Sequence, residues 1–390
     1  MDRGSSKAAW RLIFLMGLVS LFADVTYEGA RSLIPDYLTF VLGATVFMLG
    51  LVIGLGDFLG YALRLVTGPL ADLWKKYWLL TFLGYGVNLF AVPLLALAGN
   101  WQTASLLVIV ERVGKALRTP ARDTILSGVS KDIGRGKAFG VHEVLDQVGA
   151  IVGPFIAIFA LLLTGNSYRF AFSLYAFPAL IALLILALAY LFFRAHKKVF
   201  PKEKGEGKGL GKAYWLYTAM VSLSMAGLFH VAFLLYRASE YSILPKWLVP
   251  SLFLVAMAVD AIAAIVVGLA YDRWGLKVLP SVFLLTAFVP LAAYNPTVFS
   301  LYLAASIFGI VLGMQETVIR AAVADLSPVN VRGRAYGFFN GFFGLSFLLG
   351  GGIIGFLYSI SFDYVMVYVV TTQFASILLA LKLFKELRNR

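Results

Sequence analysis

"RGRAYGFFNGFFG", Arg332 to Gly344, decides how the rest of the chain is read, because its opening recurs. Residues Arg135 to Gly140 read "RGKAFG", with the same order of Arg, Gly, a basic residue, Ala, an aromatic and Gly. A second pair behaves alike. "GPLADLWKKYW" begins at Gly68 and "GLAYDRWGLK" at Gly268, so Gly68 with Asp72 returns 200 residues later as Gly268 with Asp272. Two independent motifs at nearly equal offsets mean a duplication. The copies then diverge: Arg135 leads into "VHEVLDQVGAIVGP", which sets His142, Glu143, Asp146 and Gln147 in an apolar helix, while the later copy stays apolar.

The duplicated unit is a membrane unit. Of 390 residues, 61% are hydrophobic and 14% charged, with mean hydropathy +0.86, against roughly 45–50% and 25% in soluble proteins. Apolar runs of about 20 residues, the length that crosses a hydrocarbon core of roughly 30 Å, recur between short polar or Gly/Pro breaks. Twelve are expected, at 11–36, 45–66, 78–98, 102–125, 137–163, 170–193, 214–238, 246–268, 278–294, 298–320, 335–358 and 364–384. Barrel strands would instead alternate over about 10 residues. The amino-terminal span carries Asp24, Glu28 and Arg31 and no cleavage pattern, so it reads as a retained helix rather than a signal peptide. There is no cysteine, which excludes disulfides, thiolate metal sites and a thiol nucleophile.

The net charge of +13 is distributed, not gathered. With both termini inside, all Lys and Arg except Arg31, Arg169, Arg237 and Lys246 fall on the inner side, which is the positive-inside rule rather than a nucleic-acid footprint. The expected location is the cytoplasmic membrane, multi-pass, with both termini cytoplasmic. Residues 194–213, with seven basic residues, two Glu and several Gly, read as a flexible cytoplasmic linker. The expected domains are therefore 1–193, a six-helix bundle, and 214–390, its copy.

On these loops and spans the chain resembles the major facilitator superfamily over essentially its full length. The family's loop signature is carried by Gly268, Asp272, Arg273, Gly275 and Lys277; the first copy keeps Gly68, Asp72 and Lys76 but has Leu73 for Arg and Lys75 for Gly. Close helix packing at Gly, and an Asp able to accept hydrogen bonds or pair with a base, would let these loops latch one conformation. The resemblance implies an all-α membrane fold, with two pseudo-symmetric six-helix bundles that rock about a central site. The fifth span also resembles the family's exporter signature at Gly149, Gly153 and Pro154, although Ala157 and Ile158 replace its final glycines. Small residues permit close helix approach, and Pro removes a backbone hydrogen bond.

Charge at membrane depth costs on the order of 3 kcal/mol by insertion scales, so such groups pair or face a cavity. Asp24, Glu28 and Arg31 share a stripe of the first span. Glu111, Lys115, Arg118 and Arg122 share one of the fourth, beside Arg112, and His142/Asp146 and Glu143/Gln147 are i,i+4 pairs on the fifth. Asp24, Glu28, Arg31, Glu111, Arg112, His142, Glu143, Asp146 and Gln147 are the candidate proton-coupling and substrate residues. Arg118, Arg122, Asp123 and Lys131 read as interfacial anchors or latches, and Tyr27 as packing. The second half holds fewer such groups: His230, Asp260, Gln315, Glu316, Arg320 and Asn340.

The expected function is secondary transport of a small organic molecule, as proton-coupled efflux, by a monomer with the bilayer as its solvent, no nucleic acid and no cofactor. Burial favours a neutral carboxyl and a nearby cation a charged one, so proton and cargo can compete. The alternative is export of a metal ion or chelate through His142 and Asp146. A non-transporting sensor is a further reading. A lipid-acting enzyme lacks HExxH, GxSxG and Cys, and an ATP-driven pump lacks a GxxxxGK[ST] loop.

Overall fold

The computed structural model describes residues 3–130, 135–194, 209–328 and 331–388, and among these no strand occurs. Helix occupies each expected span. The first is Arg3–Asp36; the second Val46–Ala62 continuing as Arg64–Trp74; the third Tyr77–Leu94; the fourth Trp101–Ser130; the fifth Arg135–Leu163; the sixth Tyr168–Leu174 and Ala176–Arg194. The seventh is Lys212–Ala226 and Val231–Glu240; the eighth Pro250–Trp274; the ninth Leu279–Ala292; the tenth Val298–Met314 with Arg320–Asp325; the eleventh Arg332–Ile360; the twelfth Phe362–Arg388. Among the described residues, ten stretches are long and apolar enough to cross a membrane. One of these, Lys246–Ala292, contains both the eighth and ninth helices. The fourth helix stands outside the ten because Glu111, Arg112, Lys115, Arg118, Arg122 and Asp123 lower its hydropathy, and it completes the twelve.

Local chemistry sets the ends. Thr297 and Ser300 form a reciprocal capping box at the start of the tenth helix, and Ser167 caps the sixth. The eighth helix ends at Gly275, with φ 56° and ψ −139°, a backbone open only to glycine. At the matching place after the second span, Lys75 has φ 53° and ψ 16°, so the duplicated loop keeps a positive φ although its glycine is gone. Breaking the seventh span at 227–230 leaves a helix start that His230 caps, its Nδ1 accepting the Ala232 N–H at 3.1 Å.

The chain packs as two units, residues 1–34 with 63–202, and residues 35–62 with 203–390. In the first unit, glycine sets helix separation. A Cβ on Gly84 would lie 2.6 Å from the Arg118 nitrogen, and one on Gly114 2.4 Å from the Asn88 nitrogen, so the third and fourth helices meet backbone to backbone. In the second unit the second and eleventh helices do the same. A Cβ on Gly50 would stand 2.2 Å from the Gly351 carbonyl oxygen, and one on Gly54 2.5 Å from that of Phe347. Arg237, 3% exposed, ties helix ends together in that unit. Its Nε donates to the Ala293 carbonyl (2.6 Å), its Nη1 to Tyr358 (3.1 Å) and its Nη2 to the Tyr294 carbonyl, with Phe362 beneath it at 3.7 Å.

The fifth helix divides its faces as its sequence divides. Val144, Val148, Val152 and Phe155 are exposed, as a lipid-facing surface should be. Leu145 instead packs against the first helix, where a Cβ on Gly17 would meet it. Most of the expected linker, and Lys131, lie outside the described residues.

Candidate functional site

The first helix builds the site by spacing alone, since Asp24, Tyr27, Glu28 and Arg31 fall at i, i+3, i+4 and i+7. Asp24 and Glu28 are 6% and 7% exposed. The Tyr27 hydroxyl donates to Asp24, and Arg31 donates to Glu28 Oε1. From the fourth helix, the Lys115 ammonium comes within 3.9 Å of the same Glu28 oxygen and 4.0 Å of the Tyr27 ring centroid. Arg31 and Arg118 also lie over that ring, at 5.1 and 5.7 Å. Three cations therefore converge on one tyrosine that hydrogen-bonds a buried carboxylate.

Glu111 and Arg112 adjoin this centre one turn before Lys115. Glu111 Oε1 accepts from Asn88 Nδ2 at 2.6 Å, and Oε2 stands 3.3 Å from Arg112 Nε. Arg122 donates its Nε to Asp123 at 2.9 Å and its Nη1 to Ser20 at 3.2 Å. Gly149 and Gly153 bring the fifth helix onto the first. A Cβ on Gly153 would lie 2.6 Å from both the Gly29 nitrogen and the Val25 carbonyl oxygen, and the Gly153 carbonyl accepts from Tyr175 at 2.8 Å. Pro154 follows within the helix. His142, 3% exposed, holds Nε2 3.7 Å from Asp146 Oδ2, too long for a hydrogen bond, and neither ring nitrogen is hydrogen-bonded. Gln147 is half-buried, whereas Glu143 lies on the exposed surface of its helix. Among the described residues, no three His, Cys, Asp or Glu side chains gather as metal ligands.

The loop motifs stand at the surface. Asp72, Asp272, Arg273, Lys76 and Lys277 are exposed. Asp72 accepts from the Tyr77 hydroxyl at the start of the third helix, at 3.2 Å, a side-chain bond rather than one from a helix's free N–H groups. The close-packing reason given for Gly68 and Gly268 is not met. A Cβ on Gly268 would meet nothing within 4 Å, and one on Gly68 only Pro120 at 4.0 Å, because both helix ends face open space.

Four members of the cluster were underweighted in the sequence. Tyr27 is the hub rather than packing. Lys115 stood in the stripe without a role. Arg118 is 1% exposed and lies between the Tyr27 and Tyr85 rings, which fits the latch rather than the interfacial anchor of its two readings. Asn88 carries a readable signal, being the one amide in the apolar third span.

Helices of membrane-spanning length, with a buried charge cluster inside the first unit, define a multi-pass membrane protein. The Major Facilitator Superfamily model matches residues 12–294 and 247–389, and the chain belongs to that family, whose members are transporters and not enzymes. An uncharacterized protein of Mycobacterium tuberculosis is 37% identical over 379 residues, covering 95% of this chain and 92% of its own. An MFS-type transporter of Methanocaldococcus jannaschii is 29% identical over 387 residues, 94% of this chain and 92% of its own. The tetracycline resistance protein, class H, of Pasteurella multocida is 29% identical over 133 residues, 34% of this chain and 33% of its own. Among solved structures, a peptide transporter POT in complex with sulfate superposes with TM-score 0.76 at 14% identity, over 97% of this chain and 94% of that one. The nucleoside transporter NupG gives 0.71 at 15%, over 96% and 98%. These likenesses show the fold.

Proposed function

We propose that this protein is a proton-coupled secondary transporter of a small organic molecule, working in the cytoplasmic membrane with both termini inside and with residues 1–193 and 214–390 as its alternating halves. The observation that carries the reading is Glu28 shared between Arg31 and Lys115 beside the buried Asp24. A carboxylate that serves two cations changes its hold on both when it takes a proton, so protonation there redistributes charge at the site. Export in exchange for protons is supported by the Gly149/Gly153/Pro154 pattern and by the partial likeness to a tetracycline resistance protein. In that form a cationic cargo competes with the proton for Asp24 and Glu28.

Lys115 favours a second form of coupling. A proton on Glu28 releases the ammonium 3.9 Å away, which then attracts an anionic cargo, so proton and cargo bind together and move together. The test uses proteoliposomes with a trapped pH indicator, offered tetracycline, dipeptides, nucleosides and organic acids under an imposed pH gradient. Asp24→Asn or Glu28→Gln is expected to abolish pH-driven accumulation while leaving exchange of cargo for cargo. If both variants accumulate cargo as the unaltered protein does, the proton reading is wrong.

A further inference from the structure

Arg31, Lys115 and Arg118 converge on the Tyr27 ring, where Asp24 and Glu28 are the carboxylates of the first helix's stripe and Glu111, bonded to Asn88, adjoins them. Glu28 is hydrogen-bonded to Arg31, and its 3.9 Å separation from Lys115 is beyond hydrogen-bond length. Arg118 has less still. Among the described residues no carboxylate lies within ion-pair distance of it; its guanidinium rests on the Tyr85 ring at 4.2 Å, and Nε and Nη1, both buried, make no hydrogen bond. An arginine 1% exposed with unbonded donors is costly unless an anion meets it at some stage of the cycle.

A purely structural role for the guanidinium fits poorly. The third and fourth helices are held at this level by the backbone contact of Gly84 with Arg118, which needs no charge. Lys115 supplies the approach, since 23% of its side chain is exposed.

We infer that Lys115 and Arg118, converging on Tyr27, form a subsite for a carboxylate group of the transported molecule, so that the cargo is an organic acid or a zwitterion. A carboxylate supplies acceptors for the donors that Arg118 leaves unbonded and a counter-charge for Lys115. A doubly charged phosphate would bring more negative charge against Asp24 and Glu28, while an amine would add a cation beside Lys115 and Arg118. The cargo carboxylate takes the place beside Lys115 that Glu28 holds here. This rests on the reading of the cluster as the transport site.

The experiment uses the full-length protein in detergent and matched triplets of probes, each a carboxylate, an amine and an alcohol on one skeleton: naphthyl, indolyl, phenyl and hexyl. Thermal stability reports binding, because a ligand of the folded state raises it. In at least one triplet the carboxylate is expected to raise the melting temperature above its amine and alcohol. Lys115→Ala and Arg118→Gln should each weaken that binding about tenfold or more, while Lys115→Arg retains it. Lys115→Arg keeps the inference open to refutation should Arg118→Gln fail to fold. The inference is overturned if no carboxylate binds in any triplet, if amines or alcohols bind as well, or if Lys115→Ala keeps full affinity. Proton movement is read separately in proteoliposomes. Carboxylate binding without proton movement would remove the coupling and leave the subsite, and proton movement with an amine cargo would do the reverse.

Discussion

Gly149 of the fifth helix lies against Asp24 of the first: a Cβ built on Gly149 would stand 2.8 Å from the Asp24 Cβ and 2.3 Å from the Leu21 carbonyl oxygen. The small residues of the fifth helix and the carboxylates of the first are therefore one device. Without the glycine, the first helix could not bring Asp24 so close. Gly149→Val is expected to lower stability by about 1–3 kcal/mol through overpacking and to reduce transport with it. Gly86→Ala, where a Cβ meets nothing within 4 Å, is the control and should be neutral or stabilising by up to about 1 kcal/mol. Thermal unfolding in detergent decides; equal effects at the two sites would refute the packing argument.

The two loop copies predict opposite outcomes for glycine. Lys75 holds a left-handed backbone at φ 53°, which costs a side-chain-bearing residue roughly 1–2 kcal/mol, so Lys75→Gly should stabilise the protein by about 1 kcal/mol or less after its entropy cost. Gly275, at φ 56° and ψ −139°, admits no Cβ without strain, and Gly275→Ala should destabilise by about 1–3 kcal/mol. Melting temperatures of the two variants, moving apart in sign, are the check.

The twelve spans were legible because lipid demands long apolar helices, and Arg3–Asp36 through Phe362–Arg388 follow the hydropathy closely. The stripes Asp24/Glu28/Arg31 and Glu111/Lys115/Arg118 were legible because helical spacing is fixed. Which stripe faced which was not, since the approach of Lys115 and Arg118 to Tyr27 and Glu28 is a tertiary contact that helical spacing does not encode. For the same reason Glu143 and Asp146, three residues apart in one polar segment, end with Glu143 exposed and Asp146 beside His142. The burial of Arg118 was not legible, because it comes from the Tyr85 and Tyr27 rings of two other helices.

Arg237 carries three hydrogen bonds from one buried guanidinium. Arg237→Met would leave the Ala293 and Tyr294 carbonyls without this donor, and Arg237→Lys could not reproduce the planar fork. A loss of about 3 kcal/mol or more in stability is expected for Arg237→Met, with a smaller loss for Lys, both measured by thermal unfolding. Wild-type melting of Arg237→Met would show that the network contributes nothing.

Asp36 and Ser239 offer the cleanest test of movement, because the chain contains no cysteine to confuse it. Ser239 donates to Asp36 Oδ2 at 2.6 Å, joining the end of the first helix to the seventh within the second unit, where Phe40 also stacks on Tyr236 at 5.3 Å. Alternating access requires one end of such a bundle to part as the other closes, and this hydrogen bond and ring pair are the contact whose parting is tested. The double variant Asp36→Cys with Ser239→Cys, treated with a short bifunctional thiol reagent, should lose most of its transport in proteoliposomes and regain it when a reducible reagent is cleaved. Each single variant, treated alike, should keep its own untreated rate. If the crosslinked double variant transports at the rate of the uncrosslinked one, this contact stays closed throughout the cycle and the opening lies elsewhere.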